Sequence, residues 1–323
     1  MASWSELVKK FDEKKGSPDW VLDSLSFELD EISKLRGGTA VIFYASAFLQ
    51  KQNDLALSIM HEDVNGFMDA MYKAKIDKGL TLILHTPGGD PNAVESIVDY
   101  LHAKFTNHIE VVVPYLAMSG GAMISLASNL IILGKQSQLG PIDPQFSIAN
   151  KTHSARAIKD AFNQAKKDIE NNVKLAHLWA PILQSMGPSL VIEAEKALSY
   201  SKQLVKKWLI ERMFGCTDYK EEDRKEIVDK IAAYFNAEKI NSDERVYVHG
   251  QGIRFQKLKE LGVKVERLED KQDLQTSVLT AYHLMTLIFE RTPSLKFISS
   301  NKGTMWLKQQ PVQIEGPQVH KSK

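Results

Sequence analysis

Two glycine-rich corners and one acidic turn carry the residue types in this sequence that could perform nucleophilic chemistry. The corners are Thr86-Pro87-Gly88-Gly89 and Ala117-Met118-Ser119-Gly120-Gly121-Ala122; the turn is Leu139-Gly140-Pro141-Ile142-Asp143-Pro144-Gln145. Paired glycines admit positive φ and bring backbone N–H groups close to a ligand. A serine between a strand end and a helix start presents its hydroxyl to solvent, where the helix N-terminus favours developing negative charge. The N–H of the following residue can donate to an oxyanion, as in nucleophile elbows, although Ala117 breaks the usual Gly-x-Ser-x-Gly pattern. Taken singly, each feature has a plainer meaning. Pro87-Gly88-Gly89 is equally an ordinary tight turn. Ser119 is more simply an N-cap on a tightly packed helix, and Asp143 a turn residue. Neither corner contains Gly-x-Gly-x-x-Gly, and no Gly-Lys-Ser/Thr ending occurs, which removes support for a nucleotide site.

The elements around the corners read as an alternating pattern. Residues 4–36 have helical spacing up to Gly37-Gly38, and Thr39–Tyr44 is a β-branched and aromatic run that predicts a buried strand. Residues 54–76 return to helical spacing. Strands are expected at 80–84, 109–115 and 130–133, with helices at 91–104 and from Met118 onward. Both corners then lie where a strand ends, the place where open parallel sheets bind ligands. Apolar strands alternating with helices imply a parallel sheet covered on both faces. Helices are expected over 154–179, 188–213, 221–236, 255–261 and 272–291, with a short strand at 263–265. The tail after Pro293, sparse in apolar residues, is expected to be disordered.

Composition narrows the class. The chain has 323 residues, 43% of them hydrophobic and 25% charged, the balance of a soluble globular protein. Lys and Arg total 41 against 40 Asp and Glu, so no global charge favours nucleic acid or an anionic membrane. One cysteine, Cys216, forms no internal disulfide and excludes a Cys-rich zinc site; a reducing, cytoplasmic setting is the expectation. Met1–Lys15 lacks the apolar core of a signal peptide, and the longest apolar stretch, 122–133, falls short of the ~20 residues of a bilayer span. Neither a signal peptide nor a membrane anchor is therefore expected.

The three motifs in tandem resemble the serine dehydrogenase proteinase family, soluble or membrane-anchored serine peptidases with the Clp-protease/crotonase fold. More distantly the chain is similar to signal peptide peptidase A and the Clp proteolytic subunit. The resemblance is strong over about residues 39–150 and looser to about 291, including Val248-His249-Gly250. It implies an α/β fold of the Clp-protease/crotonase-like ββα superhelix type, with a mostly parallel sheet and an added helical C-terminal region. The corresponding divisions are an N-terminal helical segment (1–38), the peptidase domain (39–291, with a helical extension over about 151–240) and the tail (292–323). The resemblance further implies Ser119 as nucleophile, Asp143 as orienting acid and His249 as base, with Gly88 or Gly89 and the Gly120 N–H as the oxyanion hole. His153 and His177 lie nearer to Ser119 in sequence than His249, and His85 adjoins the first corner. The signal-peptide-peptidase relatives use a Ser-Lys dyad instead, for which Lys151 and Lys159 are the candidates. Neither metal nor cofactor is implied. The expected substrate is a peptide or unfolded protein segment, cleaved without ATP in a homo-oligomer, with any unfolding left to a separate partner. Two alternatives remain at this stage: a non-catalytic scaffold that keeps the fold, and a crotonase-like acyl-CoA enzyme using the same oxyanion geometry.

Overall fold

The computed structural model describes residues 3–52, 55–148, 151–187, 189–215, 219–238 and 250–310. Helix α1 (Trp4–Glu13) begins with a capping box, Ser3 Oγ accepting from Glu6 N–H while the Glu6 carboxylate accepts from Ser3 N–H. Lys15 and Gly16, both at positive φ, end it before α2 (Pro18–Leu35). The single helical stretch expected over 4–36 is thus two helices with a left-handed break. Strand β1 (Ala40–Ser46) follows, buried along its whole length.

The next segment departs most from its spacing. Instead of a helix over 54–76 there is one short helix, α3 (Asp63–Ala70), flanked by single 3-10 turns at Leu55–Leu57 and Ile76–Lys78. Ile59 is held by a β-bridge to Gly89, and His61 and Glu62 form the turn that leads into α3. Beyond them run β2 (Leu80–His85), α4 (Pro91–Lys104), β3 (Ile109–Val113), β4 (Leu116–Ala117), α5 (Gly120–Leu126), β5 (Leu130–Leu133) and β6 (Gln138–Leu139). A hairpin of β7 (Gln145–Ile148) and β8 (Lys151–Ser154) leads to α6 (Ala155–Asn171), α7 (Ala176–Met186) and α8 (Leu190–Trp208). The last part comprises α9 (Glu221–Phe235), α10 (Phe255–Leu261), β9 (Val265–Arg267), α11 (Gln272–Arg291), β10 (Ser294–Ser300) and β11 (Met305–Gln309).

The main sheet has the order β11-β10-β1-β2-β3-β5-β9. β1, β2, β3, β5 and β9 are parallel, whereas β10 runs antiparallel to β1 and β11 antiparallel to β10. Alternate residues of each strand feed two cores. Ile42, Tyr44, Leu82, Leu84 and Val111 pack with α4, α5, α8 and α9, while Val41, Phe43, Ile83 and Val112 pack with α2 and α11. The disorder expected after Pro293 is corrected as far as residue 310, since every residue of β10 is buried beside β1 and β11 covers its outer edge; residues 311–323 lie outside the described residues.

Candidate active site at the strand ends

The two glycine corners meet beyond β2 and β3, on the face of the sheet that packs α4 and α5. Thr86 N–H donates to the Leu116 carbonyl and Met118 N–H to the Thr86 carbonyl, each at 3.0 Å, so the two chains run as a short parallel pair. On the other side of β4, Gly140 N–H donates to the Ala117 carbonyl at 3.2 Å. Ser119 lies at the apex of this lacing with φ 48° and ψ −113°. Such backbone states cost on the order of 1–3 kcal/mol for a residue with a Cβ. Its side chain makes no capping hydrogen bond to α5, so the N-cap reading fails on geometry. What remains is a half-buried hydroxyl on a strained turn at a helix start.

The surroundings are glycine because larger residues do not fit. A Cβ on Gly88, where φ is +98°, would lie 2.6 Å from Ser119 Cβ and 2.8 Å from Gly120 N. A Cβ on Gly140 would lie 3.1 Å from Ser119 N. Gly140 is therefore a wall of the site that spacing alone did not single out, although it stands inside the acidic turn. Three amides in this cluster have different fates. Gly88 N–H donates to Thr86 Oγ1 at 3.1 Å. Gly89 N–H and Gly120 N–H have no partner among the described residues, and a Cβ on Gly120 would lie 3.1 Å from Gly89 N.

Asp143 is buried just beyond Gly140. Its turn is braced on both sides: Ile142 N–H donates to the Phe235 carbonyl at 2.8 Å, and Ala155 N–H to the Pro144 carbonyl at 2.7 Å. His249 lies outside the described residues. The chain on either side of it is tied to the same turn, through Phe235 before it and through Ile253 after it. Ile253 exchanges hydrogen bonds of 2.9 and 2.7 Å with Leu139.

The other candidates separate clearly. His85 is wholly buried on the opposite face of the sheet, with ring contacts to Phe48, Tyr115 and Tyr282. Burial pushes its pKa down to about 3, so it stays neutral, and its Nδ1 accepts a long bond from Leu116 N–H at 3.4 Å. Lys159 on α6 is committed to Glu195 at 3.0 Å. Lys151, His153 and His177 are exposed.

The family model of the ClpP-like SDH-type serine proteinases matches residues 55–302. The chain belongs to that family. Its mixed α/β architecture with a mostly parallel sheet is the ClpP-like fold of these proteinases. The chain is similar to two uncharacterised proteins of Methanocaldococcus jannaschii. One is 28% identical over 207 residues, 63% of this chain and 58% of that protein; the other is 29% identical over 245 residues, 74% and 72%. The match thus spans less than two thirds of the first relative's length. Among solved structures it is similar to the 1510-N membrane-bound stomatin-specific protease in two forms. The serine-to-alanine mutant is 16% identical with a TM-score of 0.39, over 68% of this chain and 79% of that one. The lysine-to-alanine mutant in complex with a substrate peptide is 17% identical with a TM-score of 0.28, over 69% and 93%. Among the described residues no helix is long and apolar enough to cross a membrane.

Proposed function

We propose that this chain is an ATP-independent serine peptidase that cleaves peptides or unfolded protein segments through an acyl-enzyme on Ser119. The observation that carries the reading is the strained, uncapped Ser119 beside two amides, Gly89 and Gly120, that no described group satisfies. In this mechanism Ser119 Oγ attacks the scissile carbonyl as His249 takes its proton. Asp143 fixes the imidazole tautomer and stabilises the imidazolium. The tetrahedral oxyanion is received by the Gly89 and Gly120 N–H groups, and loss of one such donor costs about 2.7–4 kcal/mol of barrier. Gly88, whose own N–H is occupied, leaves room for the close approach. His249 returns the proton to the departing amine, then activates water to hydrolyse the ester. The lysine alternative has less support, because Lys159 is paired with Glu195 at 3.0 Å and Lys151 is exposed.

A homo-oligomer belongs to the same proposal. No residue of α7 is buried, and Leu178 and Ile182 on it are exposed, an apolar face suited to a second subunit. A strict monomer by light scattering at micromolar concentration would count against that part. The peptidase itself is tested by fluorophosphonate labelling of wild type, Ser119→Ala and His249→Ala. Labelling of wild type alone is expected. Loss in Ser119→Ala with full labelling of His249→Ala would move the base to a lysine. A folded wild type that does not label would point to a scaffold.

A further inference from the structure

The reactive corner has a second set of residues behind it. Lys296 on β10 is wholly buried, and its ammonium meets Asp63 Oδ1 at 2.5 Å and the Ser58 carbonyl at 3.1 Å. Asp63 Oδ2 accepts from Met60 N–H at 3.0 Å and from the Tyr44 hydroxyl at 2.9 Å. Ser46 Oγ donates to the Leu57 carbonyl at 2.6 Å. Buried side chains thus grip residues 57, 58 and 60, and the residue left between them is Ile59. Ile59 N–H donates to the Gly88 carbonyl at 2.7 Å, and the Ile59 carbonyl accepts from Asp90 N–H at 3.0 Å. In a trans peptide the C=O and N–H point in opposite directions. With the Gly88 carbonyl directed at Ile59, the Gly89 N–H of the same peptide is directed away from Ile59.

A second branch reaches the preceding amide. The Thr86 hydroxyl accepts from Gly88 N–H at 3.1 Å. Thr86, Tyr44 and Asp63 are all buried, so water does not compete for these bonds. Gly88 itself has no side chain to restrain it. Rotation of the 88–89 peptide is opposed by the bond on each side of it.

We propose that two branches, Lys296 with Asp63 and Tyr44 acting through Ile59, and Thr86 acting through the Gly88 amide, fix the Gly88–Gly89 peptide so that the Gly89 N–H is presented for oxyanion binding; this rests on the serine peptidase reading above. None of the four touches substrate. Their effect is on the transition state, through one amide, and leaves ground-state binding alone.

The test compares Thr86→Val, Thr86→Ser and Lys296→Met with wild type. It reads the second-order rate of fluorophosphonate labelling, kcat and KM on a peptide substrate, and amide hydrogen exchange of the peptide spanning residues 86–90. Thr86→Val should slow labelling and lower kcat by about 10-fold or more with KM unchanged, while Thr86→Ser keeps both within about 3-fold. Lys296→Met should show the same split and speed exchange over both 57–60 and 86–90. Thr86→Val keeps the methyl and loses only the hydroxyl, so it remains informative where Lys296→Met does not fold. Folded variants that label at the wild-type rate and exchange normally at 86–90 would overturn the proposal. A wild type that fails to label at all sinks the peptidase reading instead. The exchange measurement still decides the structural half of the inference, since faster exchange supports it and unchanged exchange overturns it.

Discussion

Two buried carboxylates lie toward opposite ends of the same sheet and are held in opposite ways. Glu110, at the amino end of β3, is surrounded by donors. Its Oε1 accepts from Arg36 Nε and from Thr81 Oγ1, each at 2.7 Å, its Oε2 accepts from Arg36 Nη2, and His108 Nε2 lies 3.6 Å away. Burial alone would push this carboxyl up, but the bonds from His108, Arg36 and Thr81 hold it down, to about 2. Asp63 has Lys296, Met60 N–H and Tyr44, and burial still outweighs them, leaving its pKa raised. The difference lies in what the partners are asked to do. Around Glu110 both guanidinium bonds run to the carboxylate, and the cation is a fork that reaches in from the surface. Around Asp63 the lysine divides its bonds between the carboxylate and a backbone carbonyl, and the carboxylate divides its own between a phenol and a backbone amide. One site holds strands together; the other spends part of its bonding on the loop that carries Ile59.

That contrast can be broken or sharpened by variants at each end. The largest effect is expected from Lys296→Met, which leaves Asp63 buried without a cation and should cost about 3–5 kcal/mol in denaturant unfolding, together with the loss of kcat described above. Arg36→Met leaves Glu110 its bonds to Thr81 and His108 and should cost less, about 2–3 kcal/mol. Its labelling rate should match wild type, and a slowdown equal to that of Lys296→Met would erase the distinction between the two ends. Acid titration sharpens it further. Glu110 contributes stability above its unfolded pKa near 4.5, and that contribution is lost as pH falls toward about 2. His85, lowered from 6.5 to about 3, acts earlier: the unfolded chain takes its proton first, so stability falls between those values by up to about 1.4 kcal/mol per pH unit. Unfolding series from pH 7 to 3 should therefore flatten at the acid end for Glu110→Gln and over the whole range for His85→Phe. The smallest change is expected from Lys159→Ala, which loses a largely solvated pair worth at most about 1 kcal/mol. Its labelling should equal wild type. A large loss would put that lysine, rather than His249, at the reaction.

How legible each part was in the sequence follows from what its residues advertise. Ala40–Tyr44 and Val111–Val113 are β-branched, aromatic or small apolar residues on both faces because both faces are covered, so their strands were plain. The Ser119 corner was visible as small residues after a strand, but only its dihedral angles and the missing cap distinguish a presented hydroxyl from a helix start. β10 was hidden by its own chemistry. Ser294, Lys296, Ser299 and Ser300 give it a loop-like composition, and the lysine becomes a strand residue only when Asp63, far away in sequence, neutralises it. The helical spacing of residues 54–76 misled for a related reason: a tertiary bridge from Ile59 to Gly89 overrides the local preference. Thr86 and Tyr44 had no signal, since a threonine before Pro-Gly-Gly and a tyrosine in a strand are ordinary. The proposed triad was legible only through family resemblance, and of its members Ser119 and Asp143 fall within the described residues.

The position of β10 also bears on when the molecule becomes complete. Synthesis runs from the N-terminus, and early parts of a chain can fold before later ones exist. Ser119 and both glycine corners leave the ribosome long before Lys296, which must then insert between Ser58 and Asp63 and align β10 along β1. A nascent chain therefore carries Ser119 with an unbraced corner until β10, a late strand, is made and acts as the latch. With the proposed activity on unfolded polypeptide, the chain would in this order of events be at its least competent while its own unfolded polypeptide is nearest.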